Sequence, residues 1–154
     1  MKNKEIIEKS FGIGKGAKPF EREYCDRISR YDKIKNKKLI FVVHHHFSKR
    51  EHWDFRLQID GVLKSWAVPK EPPRTKGIKR LAIQVEDHDL SYAKFHGVIK
   101  EGYGKGIVKI WDKGRYELIS KKPKKIVFNL FGKKMKGEYV LLKFKEKNWL
   151  LFKK

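Results

Sequence analysis

The chain has a single cysteine, Cys25, so it cannot form an internal disulfide. This cysteine usage is compatible with a reducing cytosol, where structural disulfides are rare. No apolar run is long enough to span a bilayer, and residues 1–8 lack the hydrophobic stretch of a secretory signal. We therefore expect a cytoplasmic protein that does not use a membrane.

Acidic residues are also scarce, with 18 Asp and Glu against 39 Lys and Arg and a formal net charge of +21. Such an imbalance indicates a polyanionic partner, a nucleic acid first and an anionic membrane surface second. Thermophilic adaptation raises Lys and Glu together, so it does not account for the imbalance. The length of 154 residues predicts one domain with a buried core.

Prolines are few, and three of the five fall within residues 69–74, which we expect to form a loop because proline cannot sit in a central ladder. From residue 38 onward, short apolar or alternating segments predict strands over 38–44, 53–59, 62–68, 80–86, 106–111, 115–119, 125–131, 138–144 and 148–153. Turns are predicted at Asp60-Gly61, Gly102–Gly106, Lys113-Gly114 and Gly132–Lys134. The pattern indicates a mainly β chain, an antiparallel barrel or sandwich.

The N-terminal 32 residues precede the predicted strands and divide into two parts. Residues 1–19 are charged and glycine-containing, which indicates a flexible basic N-terminal arm. Residues 20–32 place Phe20, Tyr24, Ile28 and Tyr31 near helical spacing, which predicts a short flanking helix. We expect residues 20–154 to form a single domain.

Four of the six histidines lie in the segment from Phe41 to Leu57. If residues 52–58 form a strand, His52, Asp54 and Arg56 share one face, and large apolar residues share the other. Together with His46, two imidazoles and a carboxylate can bind a metal and leave positions open for water or substrate. Arginine is suited to grip phosphate. His45 should point away from this set.

A second polar group follows at residues 80–92. Arg80, Ala82, Gln84 and Glu86 alternate with apolar residues, and a continued strand would place His88 on the face of Arg80 and Glu86. We expect this face to meet the first cluster across a barrel interior. His88 could then serve as a general acid or as a donor to a phosphate.

Lysines are frequent between residues 121 and 136, interleaved with Phe128, Phe131 and Tyr139. Two interpretations remain open for this region. The lysines and aromatic rings could follow a phosphate backbone, or they could be the solvated surface of a basic protein.

Several ordered motifs together resemble the 3′-phosphoesterase domain of bacterial DNA ligase D and its stand-alone archaeal relatives. They are Phe41-Val42-Val43, His46–Leu57, Asp60–Lys70, Arg80–Tyr92, Gly97-Val98-Ile99, Gly106 and Trp111-Asp112. The resemblance implies a compact antiparallel β-barrel that uses a divalent metal, typically manganese. It implies removal of a terminal ribonucleoside and then of the 3′-phosphate, which leaves a 3′-hydroxyl. The expected substrates are DNA or DNA/RNA primer-template 3′ ends.

The resemblance also implies roles for individual residues. His46, His52 and Asp54 correspond to metal ligands, and Arg56 and His88 to contacts with the scissile phosphate. Arg80 and Tyr92 correspond to catalytic positions alongside these contacts, Glu86 to a further catalytic or supporting position, and Ser65 and Lys70 to substrate-binding positions. His44 departs from the family, which usually has Gln there, so this residue could add to or perturb the substrate and metal site. No ligase module is recognised, so we expect a DNA ligase to act as a separate partner.

Two other functions fit parts of the pattern. A non-haem iron oxygenase uses two His and one carboxylate on a β-barrel, but it needs a distant third ligand and a small acidic substrate. A non-catalytic nucleic-acid-binding barrel explains the charge but not the arrangement of His52, Asp54 and Arg56.

Overall fold

The computed structural model describes residues 39–102 and 105–154. The N-terminal arm and the flanking helix predicted from sequence lie outside these ranges. Within them the strands are β1 (Ile40–Phe47), β2 (His52–Ile59), β3 (Val62–Val68), β4 (Lys79–His88), β5 (Gly97–Ile99), β6 (Gly106–Lys122), β7 (Lys125–Phe131), β8 (Lys136–Lys145) and β9 (Asn148–Lys153). One 3₁₀ helix, Leu90–Lys94, lies between β4 and β5.

Eight of these strands close into an antiparallel barrel, which confirms the predicted fold class. The order around the barrel is β1-β2-β3-β4-β9-β8-β7-β6, and β6 pairs back onto β1 to close it. The short strand β5 adds to the free side of the first part of β6. No helix in the described residues is both long enough and apolar enough to cross a membrane.

Apolar side chains fill the barrel interior. The main core draws buried residues from all eight barrel strands, among them Phe55 on β2, Trp66 on β3, Phe128 on β7 and Tyr139 on β8. Because side chains alternate along a strand, the intervening residues of β1 and β2 lie on the outer wall. The aromatic rings of Phe128 and Tyr139 are therefore core residues, and of the three rings named with the lysines only Phe131 is exposed.

The turn predicted at Lys113-Gly114 is wrong, because both residues lie inside the continuous strand β6. Gly114 serves another purpose there. A Cβ on this residue would collide with the backbone of Phe131 on β7, so the glycine permits close strand approach, which is the other common reason for glycine in a strand. The turns at Asp60-Gly61 and around Gly132 are confirmed by the pairings on either side of them.

A bulge in β4 changes which residues share a face. Ser65 pairs with Val85, but Leu63 pairs with His88, so β4 carries an additional residue between these two pairs. His88 therefore lies on the outer wall. Arg80 pairs with the core residue Leu151 and has the inward parity of the core residue Ala82. The prediction that His88 shares the face of Arg80 and meets the first cluster across the interior is wrong.

Candidate metal centre and phosphate site

The candidate site lies on the outer wall of the barrel, on β1, β2 and β3. Cross-strand pairing places His46 opposite His52 and His44 opposite Asp54. Arg56 on β2 is in turn opposite Ser65 on β3. The alternation predicted for β2 is confirmed, since Phe55 and Leu57 point into the core while Asp54 and Arg56 face outward. A second, smaller apolar cluster of Val42, Leu63 and Ala93, with Leu90 and Tyr92 packed on it, covers part of this wall.

Three donor atoms converge at one end of the site. Single ligand atoms of His46, His52 and Asp54 all lie within 4.8 Å of one another. Nε2 of His52 is 3.3 Å and Nδ1 of His46 is 3.8 Å from Oδ2 of Asp54. On its far side, Nδ1 of His52 donates to the Arg50 carbonyl at 2.8 Å, which directs Nε2 toward the cluster. Such an outer hydrogen bond is the usual support of a metal-binding imidazole, so this trio can hold a divalent metal.

The charges of this trio suit a cation. Burial raises the pKa of the Asp54 carboxyl, but the hydrogen bond from His52 and the charge of Arg56 outweigh it, and the net pKa lies below the ordinary value. The carboxylate is thus ionised at neutral pH. The same hydrogen bond raises the pKa of His52, because the Asp54 carboxylate stabilises the protonated ring.

Arg56 occupies the centre of the site and is only 3% exposed. Its Nη1 donates to Ser65 Oγ at 2.8 Å and approaches His88 Nδ1 at 3.1 Å. Its Nη2 is 3.4 Å from Asp54 Oδ2, and the guanidinium carbon lies 4.9 Å from the centre of the Tyr92 ring. Burial lowers the pKa of Arg56. The cation is therefore held rigidly beside the metal trio rather than free to swing.

His44 holds the remaining edge of this guanidinium. The ring is fully buried, and its Nδ1 accepts from Arg56 Nε at 3.0 Å. Because Nδ1 is an acceptor, Nε2 must carry the proton that it donates to the Phe95 carbonyl, 3.0 Å away. Burial, with the charge of Arg56, lowers the pKa of His44 to about 4. The Phe95 carbonyl was not foreseen from the sequence, since main-chain groups leave no side-chain signature.

His88 and Tyr92 lie on the side of Arg56 away from the metal trio. The His88 ring lies 4.8 Å from Tyr92 and the Tyr92 ring stacks on Phe95. His88 Nδ1 either accepts from Arg56 or, when protonated, donates to the Glu86 carbonyl at 3.2 Å. Burial and the charge of Arg56 lower the pKa of His88. When the neutral ring accepts from Arg56 through Nδ1, its proton is on Nε2, and this N–H can donate to another group.

The other candidate residues are less closely tied to this centre. Arg80 donates through Nε to the Glu71 carbonyl at 2.8 Å, and Lys70 is exposed beyond the end of β3. Glu86 is exposed and touches the site through its carbonyl. His45 points away from His44 and His46, as predicted, and stacks on Trp53 at 4.2 Å.

Comparison with known proteins decides the family. A family model described as the DNA ligase D 3′-phosphoesterase domain matches residues 44–143. The chain belongs to the DNA ligase D 3′-phosphoesterase domain family. The matched residues span all of the candidate site, from His44 on β1 to Tyr92 in the 3₁₀ helix. This membership leaves the oxygenase alternative without support.

Relatives of this phosphoesterase domain occur in multifunctional non-homologous end joining proteins. The LigD protein of Mycobacterium tuberculosis is 45% identical over 115 residues, which cover 71% of this chain and 15% of that protein. LigD of Mycolicibacterium smegmatis is 43% identical over 122 residues, 71% of this chain and 16% of the relative. LigD of Pseudomonas aeruginosa is 44% identical over 126 residues, which cover 75% of this chain and 15% of that protein. The chain thus spans about one sixth of these relatives.

Proposed function

We propose that this protein is a divalent-metal-dependent phosphoesterase that heals the 3′ ends of DNA during repair. It removes a 3′-terminal ribonucleoside, leaving a 3′-phosphate, and then hydrolyses that phosphate to leave a 3′-hydroxyl. The observation that carries the proposal is the His46, His52 and Asp54 trio directly beside the buried guanidinium of Arg56. Membership of the DNA ligase D 3′-phosphoesterase domain family and the similarity to non-homologous end joining proteins support the same conclusion.

His46, His52 and Asp54 would hold the metal, and manganese is the ion we expect. When bound, a divalent ion would polarise a phosphoryl oxygen as a Lewis acid. The rest of the chemistry belongs to the protein. Arg56, fixed by four polar neighbours and the Tyr92 ring, supplies a positive charge that needs no reorganisation as negative charge develops on the phosphate.

His88 provides the second contact with the phosphate. In the neutral form that accepts from Arg56, its Nε2–H can donate to a phosphate oxygen on the side of Arg56 away from the trio. In removal of the 3′-phosphate, the oxygen of water forms the new bond to phosphorus and gives up a proton, the bond from phosphorus to the 3′ oxygen breaks, and that oxygen takes up a proton. In removal of the ribonucleoside, the bond that breaks is the one from phosphorus to the 5′ oxygen of the departing ribonucleoside, which takes up the proton instead. Tyr92 packs on both Arg56 and His88 and keeps their relative orientation.

His44 and Ser65 act as positioning residues in this proposal. Both are fully buried, and each binds a different nitrogen of Arg56. We place His44 behind the guanidinium, not in contact with substrate. Lys70, which is exposed beyond the end of β3, would contact the DNA farther from the scissile bond, Arg80 and Glu86 would support the site from β4, and a separate DNA ligase would seal the healed end.

The proposal is tested with a duplex primer-template that ends in a 3′-phosphate and with one that ends in a ribonucleotide, each incubated with manganese or with EDTA. We expect turnover only with the metal. His52→Ala and Asp54→Ala should abolish it and should also lose manganese binding measured by calorimetry. Asp87→Asn is a matched control, since this exposed carboxylate pairs with Lys64 on the surface.

Full 3′-phosphatase activity in Asp54→Ala would overturn the proposal. Tight DNA binding without any turnover would favour the non-catalytic barrel. Oxygen-dependent consumption of 2-oxoglutarate would revive the oxygenase.

A further inference from the structure

An apolar row lies exposed where β1, β6 and β5 continue past the last β1–β2 pair, on the face of β1 opposite to His46. Phe47, Ile107 and Val98 are directly opposite one another on β1, β6 and β5. Their side chains are 39%, 44% and 60% exposed. Within the described residues they belong to the nine large apolar side chains left most open to solvent. A contiguous exposed set of this kind indicates an interaction surface more strongly than scattered apolar residues do.

The apolar row stands on an extension of the barrel wall. His46 opposite His52 is the last pair of the β1–β2 ladder, so Phe47 pairs only with β6. Residues alternate in direction, and on the other side of the extension His46 and Val108 are buried. The row thus lies on the opposite face of the sheet from the candidate metal centre, one residue beyond His46 at the end of the β1–β2 ladder.

Aromatic rings support one end of the row. The centre of the His45 ring lies 4.0 Å from that of the Phe47 ring and 4.2 Å from that of the Trp53 ring. Packing against His45 therefore restrains the Phe47 ring. Lys109 Nζ is 5.8 Å from the centre of the Phe47 ring, and Lys49 and Lys105 are exposed nearby in sequence. A fixed ring bordered by cations suits a ligand with a flat apolar face and negative charge at its rim.

We propose that the apolar row is a platform for the terminal nucleobases of the DNA end, and this inference rests on the proposed function. Three strands span about 10 Å, which is enough for the flat face of a base pair. The surrounding lysines complement the phosphates beside that base. A second copy of this chain would bring another net charge of +21 to the same surface, so like-charge repulsion disfavours self-association there.

The test is a binding experiment in EDTA, where no turnover can occur. The probe is a duplex with a 3′-phosphate and 2-aminopurine as the terminal base, whose fluorescence falls when it stacks. We expect wild-type protein to quench the probe and Phe47→Ala to weaken binding by about 5- to 10-fold, the lower range for loss of one stacking ring. Phe47→Trp should restore both binding and quenching.

Two further variants sharpen the result. Phe144→Ala removes a ring that is 54% exposed on β8 and should bind as wild type. Val98→Asp places a negative charge in the row without disturbing a buried position and should weaken binding at least as much as Phe47→Ala. Thermal unfolding of each variant checks that the fold is retained.

Wild-type affinity and quenching in both Phe47→Ala and Val98→Asp would overturn the platform. So would sedimentation of DNA-free protein as a dimer that Phe47→Ala converts to monomer, since the row would then be a self-interface. The protein could quench the probe in EDTA and yet fail to dephosphorylate it with manganese. That result would contradict the proposed function and support the platform. Dephosphorylation with manganese but no quenching in EDTA would support the proposed function and contradict the platform.

Discussion

Replacing His44 by leucine tests whether this residue works by holding Arg56. Leucine fills the buried space but removes both the Nδ1 acceptor of Arg56 Nε, 3.0 Å away, and the donor to the Phe95 carbonyl, also 3.0 Å away. A hydrogen bond to a charged group contributes about 1.5–3 kcal/mol. If that amount is lost from the transition state, kcat/KM for 3′-phosphate removal falls roughly 10- to 150-fold. Most of the fall should appear in kcat.

Glutamine is the matched control, because its carboxamide carries one acceptor and one donor group like the neutral imidazole. We expect His44→Gln to recover kcat/KM to within about threefold of wild type. Manganese affinity should change little in either variant, since the trio does not include His44. Wild-type kcat/KM in His44→Leu would refute the positioning role, and loss of manganese binding in that variant would show that His44 belongs to the metal centre instead.

Four further results are expected. Because the pKa of His44 is lowered to about 4 in the folded state and is near 6.5 when unfolded, the unfolded chain takes up a proton first. Stability of the metal-free protein should therefore fall by about 3 kcal/mol as the pH drops from 6.5 to 4, and denaturation in EDTA should show a shallower fall for His44→Gln. Arg56→Lys should lower kcat/KM roughly 100-fold or more, since an ammonium cannot meet the separate partners of a guanidinium, and steady-state assays would check this. Asp112→Ala should lower the free energy of unfolding by about 3–5 kcal/mol in urea titrations, because its carboxylate accepts three backbone N–H groups of the β7–β8 turn and the N–H of the next residue, Lys113; a change below about 1 kcal/mol would contradict this. Gly132→Ala should cost about 1–3 kcal/mol in the same assay, since its Cβ would collide with Asp112 and the Phe41 ring, and unchanged stability would contradict the close packing.

Strand alternation predicted the parts of the site that depend on local geometry alone. On β2 the period of two separates Asp54 and Arg56 from the core residue Phe55 without any knowledge of the rest of the chain. His46 also falls on the correct face, because β1 and β2 form a regular antiparallel pair with His46 opposite His52. The number and spacing of the short strands left a barrel and a sandwich open, and the barrel was expected from the family resemblance.

The position of His88 could not be predicted in the same way. An extra residue in β4 reverses the parity after Val85, and a bulge of this kind depends on the partner strand rather than on a local sequence signal. The wrong prediction of a turn at Lys113-Gly114 on β6 has a similar cause. Gly114 is required by the Phe131 backbone on a strand more than ten residues away, while its neighbourhood in sequence resembles a turn.

The burial of charge at this site is difficult to explain as a device for stability. Asp54 and Arg56 are 8% and 3% exposed on the outer wall of the barrel, where the fold does not require polar residues. Desolvating such a pair costs several kcal/mol per ion, which attraction between the two often only balances. The Arg56 guanidinium nevertheless has a neighbour on each of its three nitrogens. The cost of burying this cation is explained if it must already be in position when a phosphate binds, because a preorganised charge stabilises the transition state without rearrangement.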